Sequence, residues 1–504
     1  MYNEKIKFIV VCGGGSSEIG KTYISASLGY LLKENGINVY PIKFDGYLNY
    51  NTGSMCKYHK KQKFKAFGEE VFVLKDGTEC DSDLGVYERF LEIDLDKNSY
   101  ITNGSLLYEI IKKDTGEGKI LNFKSIKEEY KKLLLSKSSE FMLVEVGGTI
   151  GDIENKFFLE SIAELSHDYK VFIVLVAPLM DIIKSKDSIS SSQTKLVRTS
   201  FSILSQMGIR PNVIICRGKE NKVNKKILNV ISEETISNVY YIPFVANIYD
   251  IPLKLLENKI IDLIFNNFLI KKKIKRKYRL ESFVRKANKL KKDINLLMID
   301  NMESYGSYIS IIDALKSAGI VEGVRSNIIL GLTKNIEKIH GIVLLNDYEN
   351  IKKKYTLLKI ARKNKIPTLG ISGGFYFLVD EFVKNVLKEK PLTRHGKLKL
   401  GLHKTILIKK LDIKKIFGKT TILERHRHTE YINNYEILKN SSLEPVGFSE
   451  ENFLEVVKLS NHPFYIGVAF NSEYSSKPLN SNQLLISFIK AVKRRYKLFK
   501  RIYN

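Results

Sequence analysis

The chain has 504 residues, 44% of them hydrophobic and 11% aromatic, which is the composition of a globular protein long enough for two or three domains. Its net charge is +27, from 82 basic and 55 acidic residues, a balance that also suits nucleic-acid binding. The lysines are spread along the chain, however, and no helix-turn-helix, zinc-finger or RNA-binding aromatic pattern accompanies them. Composition therefore argues against nucleic acid as a main partner.

Cysteine spacing predicts a reducing compartment, and hydropathy predicts no membrane span. The four cysteines have neither disulfide nor metal-ligand spacing, so reduced thiols are expected at Cys12, Cys56, Cys80 and Cys216. No run of about 18 apolar residues predicts a membrane span. The sequence runs directly into a predicted strand, so no signal peptide is expected, and we expect a cytoplasmic protein.

The first predicted elements are a strand, a glycine-rich loop and a helix. Residues 8–11 form a short apolar run typical of a buried strand, and apolar residues after the loop recur at helical spacing. The loop matches the phosphate-binding pattern G-x-x-x-x-G-K-[ST] at Gly15, Gly20, Lys21 and Thr22. Backbone N–H groups would surround a phosphate, with Lys21 on the outer phosphates and the Thr22 hydroxyl on Mg²⁺. The alternative is a tight glycine turn without a ligand.

The later elements alternate between strands and helices. Apolar runs predict buried strands at 39–44, 141–146, 171–176, 213–216, 296–299, 341–345 and 368–371. A hairpin is predicted at 71–79, where Asp76 and Gly77 form a turn signal. This alternation is typical of a doubly wound, mostly parallel sheet covered on both faces, so the predicted fold class is α/β.

A run of basic residues at 271–277 interrupts the alternation and predicts a domain boundary. We place a basic linker at 266–292. The predicted organisation is a phosphate-loop domain at 1–265 and a second α/β domain at 293–504.

Carboxylates near predicted strand ends are candidates for holding Mg²⁺. Asp83 follows the hairpin, and Glu145 lies inside an apolar strand, where a charge is costly unless it is paired or bound to a metal. Asp152 and Glu154 follow in the next turn. With a phosphate loop in the same domain, we predict that Asp83 and Glu145 bind Mg²⁺. A turn role for Asp83 and a lysine partner for Glu145 are the alternatives.

Twelve segments of the chain match motifs of one known family. They are residues 20–21, 42–45, 47–49, 53–55, 70–73, 83–85, 87–90, 145–154, 215–217, 248–249, 424–428 and 461–463. With them the chain resembles the CTP synthase family, which aminates UTP using ATP and glutamine. The resemblance spans nearly the whole chain and is most specific in the N-terminal half.

The resemblance implies an N-terminal amidoligase (synthetase) domain and a C-terminal class I glutamine amidotransferase domain. In this family ATP phosphorylates O4 of UTP, and ammonia then displaces the phosphate. Lys21 and Lys43 would be catalytic, because they would stabilise the transferred phosphoryl group. Implied partners are UTP, ATP with Mg²⁺, ammonia, and further copies of the chain in a dimer or tetramer.

Binding residues follow from the same motifs. ATP binding is implied for Glu18, Ile19, Gly20, Lys21, Thr22, Tyr23, Asp83 and Arg217. UTP or CTP binding is implied for Ser17, Asp152, Ile153, Glu154, Lys195, Arg198 and Lys226. Metal binding is implied for Asp83 and Glu145.

The C-terminal half departs from the family at its glutaminase residues. The nucleophile position, a Cys in the family, is Ser372, and the surrounding residues spell G-x-S-x-G. The family's His-Pro-Glu motif reads Asn471-Ser-Glu473, and asparagine cannot take a proton near neutral pH. The oxyanion stretch at 345–349 has lost its glycines, and Thr429 stands where the family has a glutamine-contacting arginine. We therefore expect no glutamine hydrolysis and no serine-hydrolase activity.

The N-terminal half departs less severely. The UTP-site stretch aligns with 193–198, where one lysine is lost and an arginine is gained. A family segment beside the uracil is missing after 116–118, and a lysine-rich insertion lies near 57–67. UTP specificity and oligomer geometry are thus less firmly implied than ATP binding.

Three functions fit this combination. The first is a CTP synthase that uses free ammonia, because the ATP and Mg²⁺ residues persist while the glutamine residues do not. The second is an amidoligase for a related nucleotide, and the third is a non-catalytic or regulatory subunit that assembles with an active synthase. In each case the C-terminal domain would remain as structure.

Overall fold

A computed structural model describes most of the chain, and its described residues form two compact units. The described residues are 6–15, 18–55, 65–66, 69–113, 122–136, 139–179, 191–219, 223–299, 308–331, 336–345 and 351–503. The first unit comprises Met1–Asn51 and Val86–Val284, and the second comprises Thr52–Gly85 and Arg285–Asn504.

The strands are numbered in chain order over the described residues. They are β1 (Lys7–Gly13), β2 (Val39–Asp45), β3 (Lys65–Ala66), β4 (Glu69–Val73), β5 (Glu79–Asp81), β6 (Tyr100–Thr102), β7 (Phe141–Val146), β8 (Lys170–Pro178), β9 (Val213–Gly218), β10 (Asn238–Pro243), β11 (Asp293–Ile299), β12 (Arg325–Leu330), β13 (Gly341–Leu344), β14 (Thr368–Ile371), β15 (Arg394–Leu407), β16 (Thr421–Tyr431), β17 (Leu443–Ser449), β18 (Leu454–Leu459) and β19 (Tyr465–Val468).

The helices of the described residues are numbered in the same way. They are α1 (Lys21–Glu34), α2 (Ser82–Leu91), α3 (Asn103–Lys112), α4 (Phe123–Leu135), α5 (Lys156–Asp168), α6 (Ser191–Gln206), α7 (Lys225–Thr235), α8 (Ile251–Glu257), α9 (Ile260–Asn267), α10 (Arg279–Asn288), α11 (Ile309–Glu322), α12 (Ile351–Lys363), α13 (Gly373–Phe382), α14 (Leu411–Phe417), α15 (Glu436–Lys439) and α16 (Gln483–Tyr503). None of the described helices is both long and apolar enough to cross a membrane.

The first unit is built on a parallel sheet whose described strands run in the order β10-β9-β8-β1-β7-β2-β6. Its central strands are continuous apolar runs because both faces of the sheet are covered. On one face, Phe44 stacks on Phe158 of α5 with ring centroids 4.1 Å apart, and it meets Tyr130 of α4 edge to face. This confirms the predicted α/β sheet and the strands predicted at 8–11, 39–44, 141–146, 171–176 and 213–216.

The second unit contains a mixed sheet with described order β12-β11-β13-β14-β19-β18-β17-β15-β16. In this order, each neighbouring pair among β12, β11, β13, β14 and β19 is parallel. Each neighbouring pair among β19, β18, β17, β15 and β16 is antiparallel. The apolar side of α16, including Leu485, Phe488 and Ile489, is buried in the core with α11. The strands predicted at 296–299, 341–345 and 368–371 are present, whereas the sequence did not predict the antiparallel ones.

The predicted hairpin is present as β4 and β5, with Gly77 in the left-handed conformation at φ 87°. It belongs to the second unit, where Nε of Arg427 lies 2.8 Å from Oε1 of Glu79. The backbone N–H of Leu402 donates to the Lys75 carbonyl, 3.0 Å away. The hairpin is therefore fastened to residues more than 300 positions later in the chain.

The predicted boundaries 1–265, 266–292 and 293–504 stay predictions. The division into two compact units falls between Val284 and Arg285, and the basic run at 271–277 lies between α9 and α10. The assignment of Thr52–Gly85 to the second unit has no counterpart in the local sequence, because it depends on long-range contacts alone.

Candidate active sites

The phosphate-loop segment has the backbone that its glycines predict. Gly15 and Gly20 have φ of 81° and 83°, in the left-handed region that glycine enters without steric cost, and α1 begins directly after Gly20. A Cβ at Gly13 would lie 2.5 Å from Cδ of Lys21, so the Lys21 side chain runs over the loop backbone. Nζ of Lys21 donates to the Gly148 carbonyl at 2.7 Å. Two strand-end loops thus meet at this lysine.

Glu145 is the centre of a cluster of polar side chains. It lies in β7, is fully buried, and accepts a hydrogen bond from Oγ1 of Thr22 at 2.7 Å. Nζ of Lys43 lies 3.4 Å from the same carboxylate oxygen, and the Tyr87 hydroxyl donates to the other oxygen at 2.6 Å. Burial, with the carboxylate beside it, keeps the pKa of Tyr87 well above its usual range, so Tyr87 remains a donor. Glu145 therefore has the lysine partner that was the predicted alternative, and Thr22 of the phosphate loop contacts the same carboxylate.

The donor set around Glu145 fits Mg²⁺. Carboxylate and hydroxyl oxygens are hard ligands, and protein Mg²⁺ sites commonly use one or two carboxylates together with substrate phosphates and water. Among the described residues, no group of three or more His, Cys, Asp or Glu side chains could hold a metal ion without such help. The two predicted ligands fall in different units, Glu145 in the first and Asp83 in the second. Asp83 lies in the first turn of α2, four residues before Tyr87.

Arg217 lies at the end of β9 beside the phosphate loop. It is 2% exposed, and its guanidinium lies over the Phe244 ring at 4.9 Å. A Cβ at Gly20 would be 3.6 Å from Nη2 of Arg217. Burial lowers the pKa of Arg217 to about 10, so the group stays charged at neutral pH. Its Nε and Nη1 have no hydrogen-bond partner among the described residues, which leaves donors for a ligand.

Other residues implied in ATP binding occupy the same loop and helix start. Glu18 is exposed, Ile19 is buried, and Tyr23 is half-buried in α1. Ser17 lies outside the described residues.

The residues implied in pyrimidine binding belong to two regions of the first unit. Oδ2 of Asp152 accepts from the Thr149 backbone at 2.7 Å, while Ile153 is 81% exposed and Glu154 is also exposed. Arg198 in α6 forms an ion pair with Glu234 in α7, 2.8 Å apart. Lys195 and Lys226 are exposed at the same pair of helices.

In the second unit, Ser372 occupies a sharp turn between β14 and α13. Its φ and ψ are 53° and −117°, a combination that costs energy for any residue with a Cβ. Its backbone N–H donates to the Val468 carbonyl at 2.9 Å. A Cβ at Gly374 would lie 1.9 Å from the Leu344 carbonyl oxygen, so the turn requires glycine there. The structure thus has the elbow geometry that G-x-S-x-G predicts.

Asn471 and Glu473 follow β19 and contact each other. Nδ2 of Asn471 donates to Oε1 of Glu473 at 2.9 Å, and both residues are buried. Burial raises the pKa of Glu473 to about 7, the Asn471 hydrogen bond opposes this rise, and the nearby Glu424 carboxylate adds to it. Asn471 and Glu473 thus form a buried amide–carboxyl pair.

Several segments singled out in the sequence lie outside the described residues, whereas Thr429 is among them. Residues 346–349 of the predicted oxyanion stretch are outside, as are 116–118 and most of the 57–67 insertion. Thr429 is described, and its backbone N–H donates to Oε2 of Glu430 at 3.1 Å. It lines a cavity of about 520 Å³ with Tyr376, Lys399 and Glu455, which the sequence did not predict.

Sequence reasoning also missed two partners of the nucleotide site. Tyr87 was part of a matching segment, and its position one helical turn after Asp83 was the available signal. Phe244 had no signal, because it follows β10 whereas Arg217 lies in β9, and only packing brings the two side chains together.

The chain matches two family models in succession. One is described as the CTP synthase N-terminus and matches residues 7–270, and the other, glutamine amidotransferase class-I, matches residues 297–491. A CTP synthase of Clostridium kluyveri is 32% identical over 96% of this chain and 98% of its own length. One of Phytoplasma australiense is 31% identical over 97% of each chain.

One solved structure is also similar to the second half of the chain. It is the glutaminase domain of Trypanosoma brucei CTPS with bound acivicin, 20% identical, which covers 40% of this chain and 94% of its own, with a TM-score of 0.37. That score is too low to support an argument. The family models and the full-length relatives carry the conclusion that the chain belongs to the CTP synthase family of ATP-dependent ligases.

Proposed function

We propose that this chain converts UTP to CTP with ATP and Mg²⁺, and that it uses free ammonia as the nitrogen source. The observation that carries the proposal is the contrast between two sites. Thr22, Lys43 and Glu145 contact one another and are buried, whereas Asn471, which the resemblance aligns with the glutaminase base, is an amide that donates to Glu473. A chain with these residues retains the charges for phosphoryl transfer and lacks the group that would activate a nucleophile on glutamine.

The reaction has two steps. The γ-phosphoryl group of ATP moves to O4 of UTP, with ADP as the leaving group, and ammonia then attacks C4 and releases inorganic phosphate. Lys21 and Lys43 would stabilise negative charge on the phosphoryl oxygens as it develops. Glu145 and the ATP phosphates would hold Mg²⁺, which would supply further positive charge at the transferred group, and Asp83 stays a predicted ligand. Asp152 and Glu154 would contact the pyrimidine nucleotide.

Arg217, whose guanidinium lies near Gly20 of the phosphate loop, would also support nucleotide binding. Its two unpartnered nitrogens are buried beside Gly20, and a bound ATP would supply the missing acceptors. This requirement explains why a buried guanidinium is tolerated there, since burying such donors without partners costs about 1–3 kcal/mol or more.

The test is CTP formation by the purified chain from UTP and ATP–Mg²⁺, with ammonium chloride and with glutamine in parallel. We expect product with ammonium only. Glu145→Gln should reduce the rate by at least about 100-fold, because it removes a charge at the transferred phosphate. The matched control is Glu140→Gln, which changes a partly exposed carboxylate just before the same strand and should leave the rate unchanged.

Each other outcome contradicts part of the proposal. Product with glutamine would contradict the loss of glutaminase activity. Product from another nucleotide but not from UTP would favour the amidoligase alternative. No product from any acceptor would favour a non-catalytic subunit.

A further inference from the structure

Several buried polar atoms in the second unit have no hydrogen-bond partner among the described residues, and three of them follow the neighbouring strands β14 and β19. These three are Oγ of Ser372, Oδ1 of Asn471 and Oε2 of Glu473. The residues are only 2%, 2% and 6% exposed. An unsatisfied buried polar atom is costly, and three of them near one sheet edge indicate a small polar ligand.

The sheet brings these residues to the same edge. β14 and β19 are parallel neighbours with Ile371 opposite Val468, and the N–H of Ser372 donates to the Val468 carbonyl. Asn471 follows β19 by three residues, and its N–H donates to the Arg425 carbonyl of β16. All three side chains therefore leave the carboxyl ends of neighbouring strands.

The orientation of Asn471 determines which atoms are available. Its Nδ2 donates to the Glu473 carboxylate, and the flipped amide would place two oxygens against each other. Oδ1 is therefore the remaining group, and it can only accept. Oε2 of Glu473 accepts when ionised, and the Ser372 hydroxyl can accept as well. The ligand must donate several hydrogen bonds.

The charge at this edge favours a cation. Glu473 is buried, and the charged group that acts on it is a second carboxylate, Glu424 of β16. The two arginines flanking His426 in β16 are directed to the hairpin instead, Arg425 to the Val73 carbonyl and Arg427 to Glu79. A buried carboxylate without a cation is costly, so a small cationic donor would stabilise its ionised form.

We propose that Ser372, Asn471 and Glu473 form a binding site for the ammonium ion. Ammonium has four N–H donors, no acceptor and one positive charge, which matches three acceptors, one of them the oxygen of an ionised carboxylate. The former glutaminase elbow would then hold the nitrogen substrate itself. Its biological purpose rests on the proposed function, whereas ammonium binding can be measured without any catalysis.

Binding should depend on pH through Glu473. Below pH 7 Glu473 is mostly protonated, so the site lacks the negative charge that attracts a cation and ammonium binds weakly. Above pH 7 the carboxylate is available, and affinity rises. Ammonium binding in turn lowers the pKa of Glu473, because it stabilises the ionised form.

The experiment is a thermal-unfolding titration of the full chain with ammonium chloride against sodium chloride and potassium chloride at equal ionic strength, at pH 6 and pH 8. At about ten times the dissociation constant, ammonium should raise the unfolding temperature of the second unit by about 2–4 °C at pH 8 and by less at pH 6. Glu473→Gln and Asn471→Leu should each abolish the ammonium-specific rise. Glu381→Gln, which changes another wholly buried carboxylate of this unit, should keep it.

An equal rise in Glu473→Gln would overturn the site, and so would an equal rise with potassium, which would indicate a general monovalent-cation effect. The result also separates the two proposals. A specific rise without any CTP formation would support the ammonium site and contradict the proposed function. CTP formation whose KM for ammonium is unchanged in Glu473→Gln and Asn471→Leu would support the function and contradict the site.

Discussion

Glu145 and Glu473 are both buried carboxylates, but their surroundings give them opposite properties. Glu145 receives hydrogen bonds from Thr22 and Tyr87 and has Lys43 beside it, which together offset the cost of burying its charge. Burial raises the pKa of Glu473 to about 7, and the Glu424 carboxylate adds to this rise, while the single amide donor of Asn471 opposes it. The first residue is suited to stay charged, and the second to change its charge near neutral pH.

The raised pKa of Glu473 predicts how stability depends on pH. A carboxyl group whose pKa is higher in the folded than in the unfolded chain destabilises the fold as pH rises from its ordinary pKa, 4.5, to about 7. In ammonium-free buffer, Glu473→Gln should therefore be more stable than the natural chain by about 3 kcal/mol above pH 7. The two proteins should become equally stable below pH 4.5. Denaturant unfolding at several pH values measures this, and a pH-independent difference would contradict it.

At the scale of elements, the turn between β14 and α13 has a strained backbone. Ser372 has φ 53° and ψ −117°, and Gly370 and Gly374 are packed too closely for a side chain. Such strain persists when the neighbouring elements fix the backbone, here β14 on one side and a wholly buried α13 start on the other. The elbow geometry is therefore a property of the packed strand and helix and does not require a working nucleophile.

Replacing the serine should release this strain. Ser372→Gly should stabilise the chain by about 1 kcal/mol, because glycine adopts this conformation without a steric cost and the gain exceeds its larger entropy loss on folding. Ser372→Ala keeps the Cβ and should bring no comparable gain. Denaturant unfolding of both variants in one buffer measures the difference, and equal stability of the two would show that the turn is unstrained.

At the scale of the whole molecule, the second unit is assembled from distant parts of the chain. The hairpin of β4 and β5 supplies Phe72, which packs edge to face on Tyr474, and the Tyr474 hydroxyl donates to the Val71 carbonyl. Arg427 is only 4% exposed under this hairpin. Residues 285–504 alone would expose these apolar and charged groups to water.

A fragment cut at the predicted boundary tests this assembly. Residues 293–504 produced alone should unfold at a temperature about 5–10 °C or more below that of the second unit in the full chain, since burying a Phe-sized side chain is worth about 1.5–3 kcal/mol. Phe72→Ala in the full chain is the companion measurement and should lower the same transition by less. A fragment as stable as the intact unit would contradict the role of the hairpin.

The net charge is distributed unevenly along the chain. Residues 285–504 contain 40 basic and 20 acidic residues, whereas residues 1–284 contain 42 and 35. Lysine and arginine are indeed spread along the chain. The imbalance arises because acidic residues are scarcer in the second part, and it gives that part a more positive field.

The sequence by itself determined the features that depend on short stretches of chain. The parallel strands were readable as apolar runs, and the loop around Gly20 and Lys21 as a phosphate-binding pattern, because strand–loop–helix geometry is set locally. The prediction that no base stands at Asn471 also comes from residue chemistry alone. Glu145 was suspect because a carboxylate in an apolar strand needs a partner.

Only the tertiary structure decided which distant groups meet. It brought the Tyr87 hydroxyl to Glu145, directed the Asn471 amide to Glu473, and assigned the hairpin to the second unit. The antiparallel strands from β15 to β18 were missed for the same reason: their half-polar pattern is weak, and pairing across the sheet stabilises them. Local pattern selects the elements, whereas the free energy that joins them is spread over contacts far apart in the sequence.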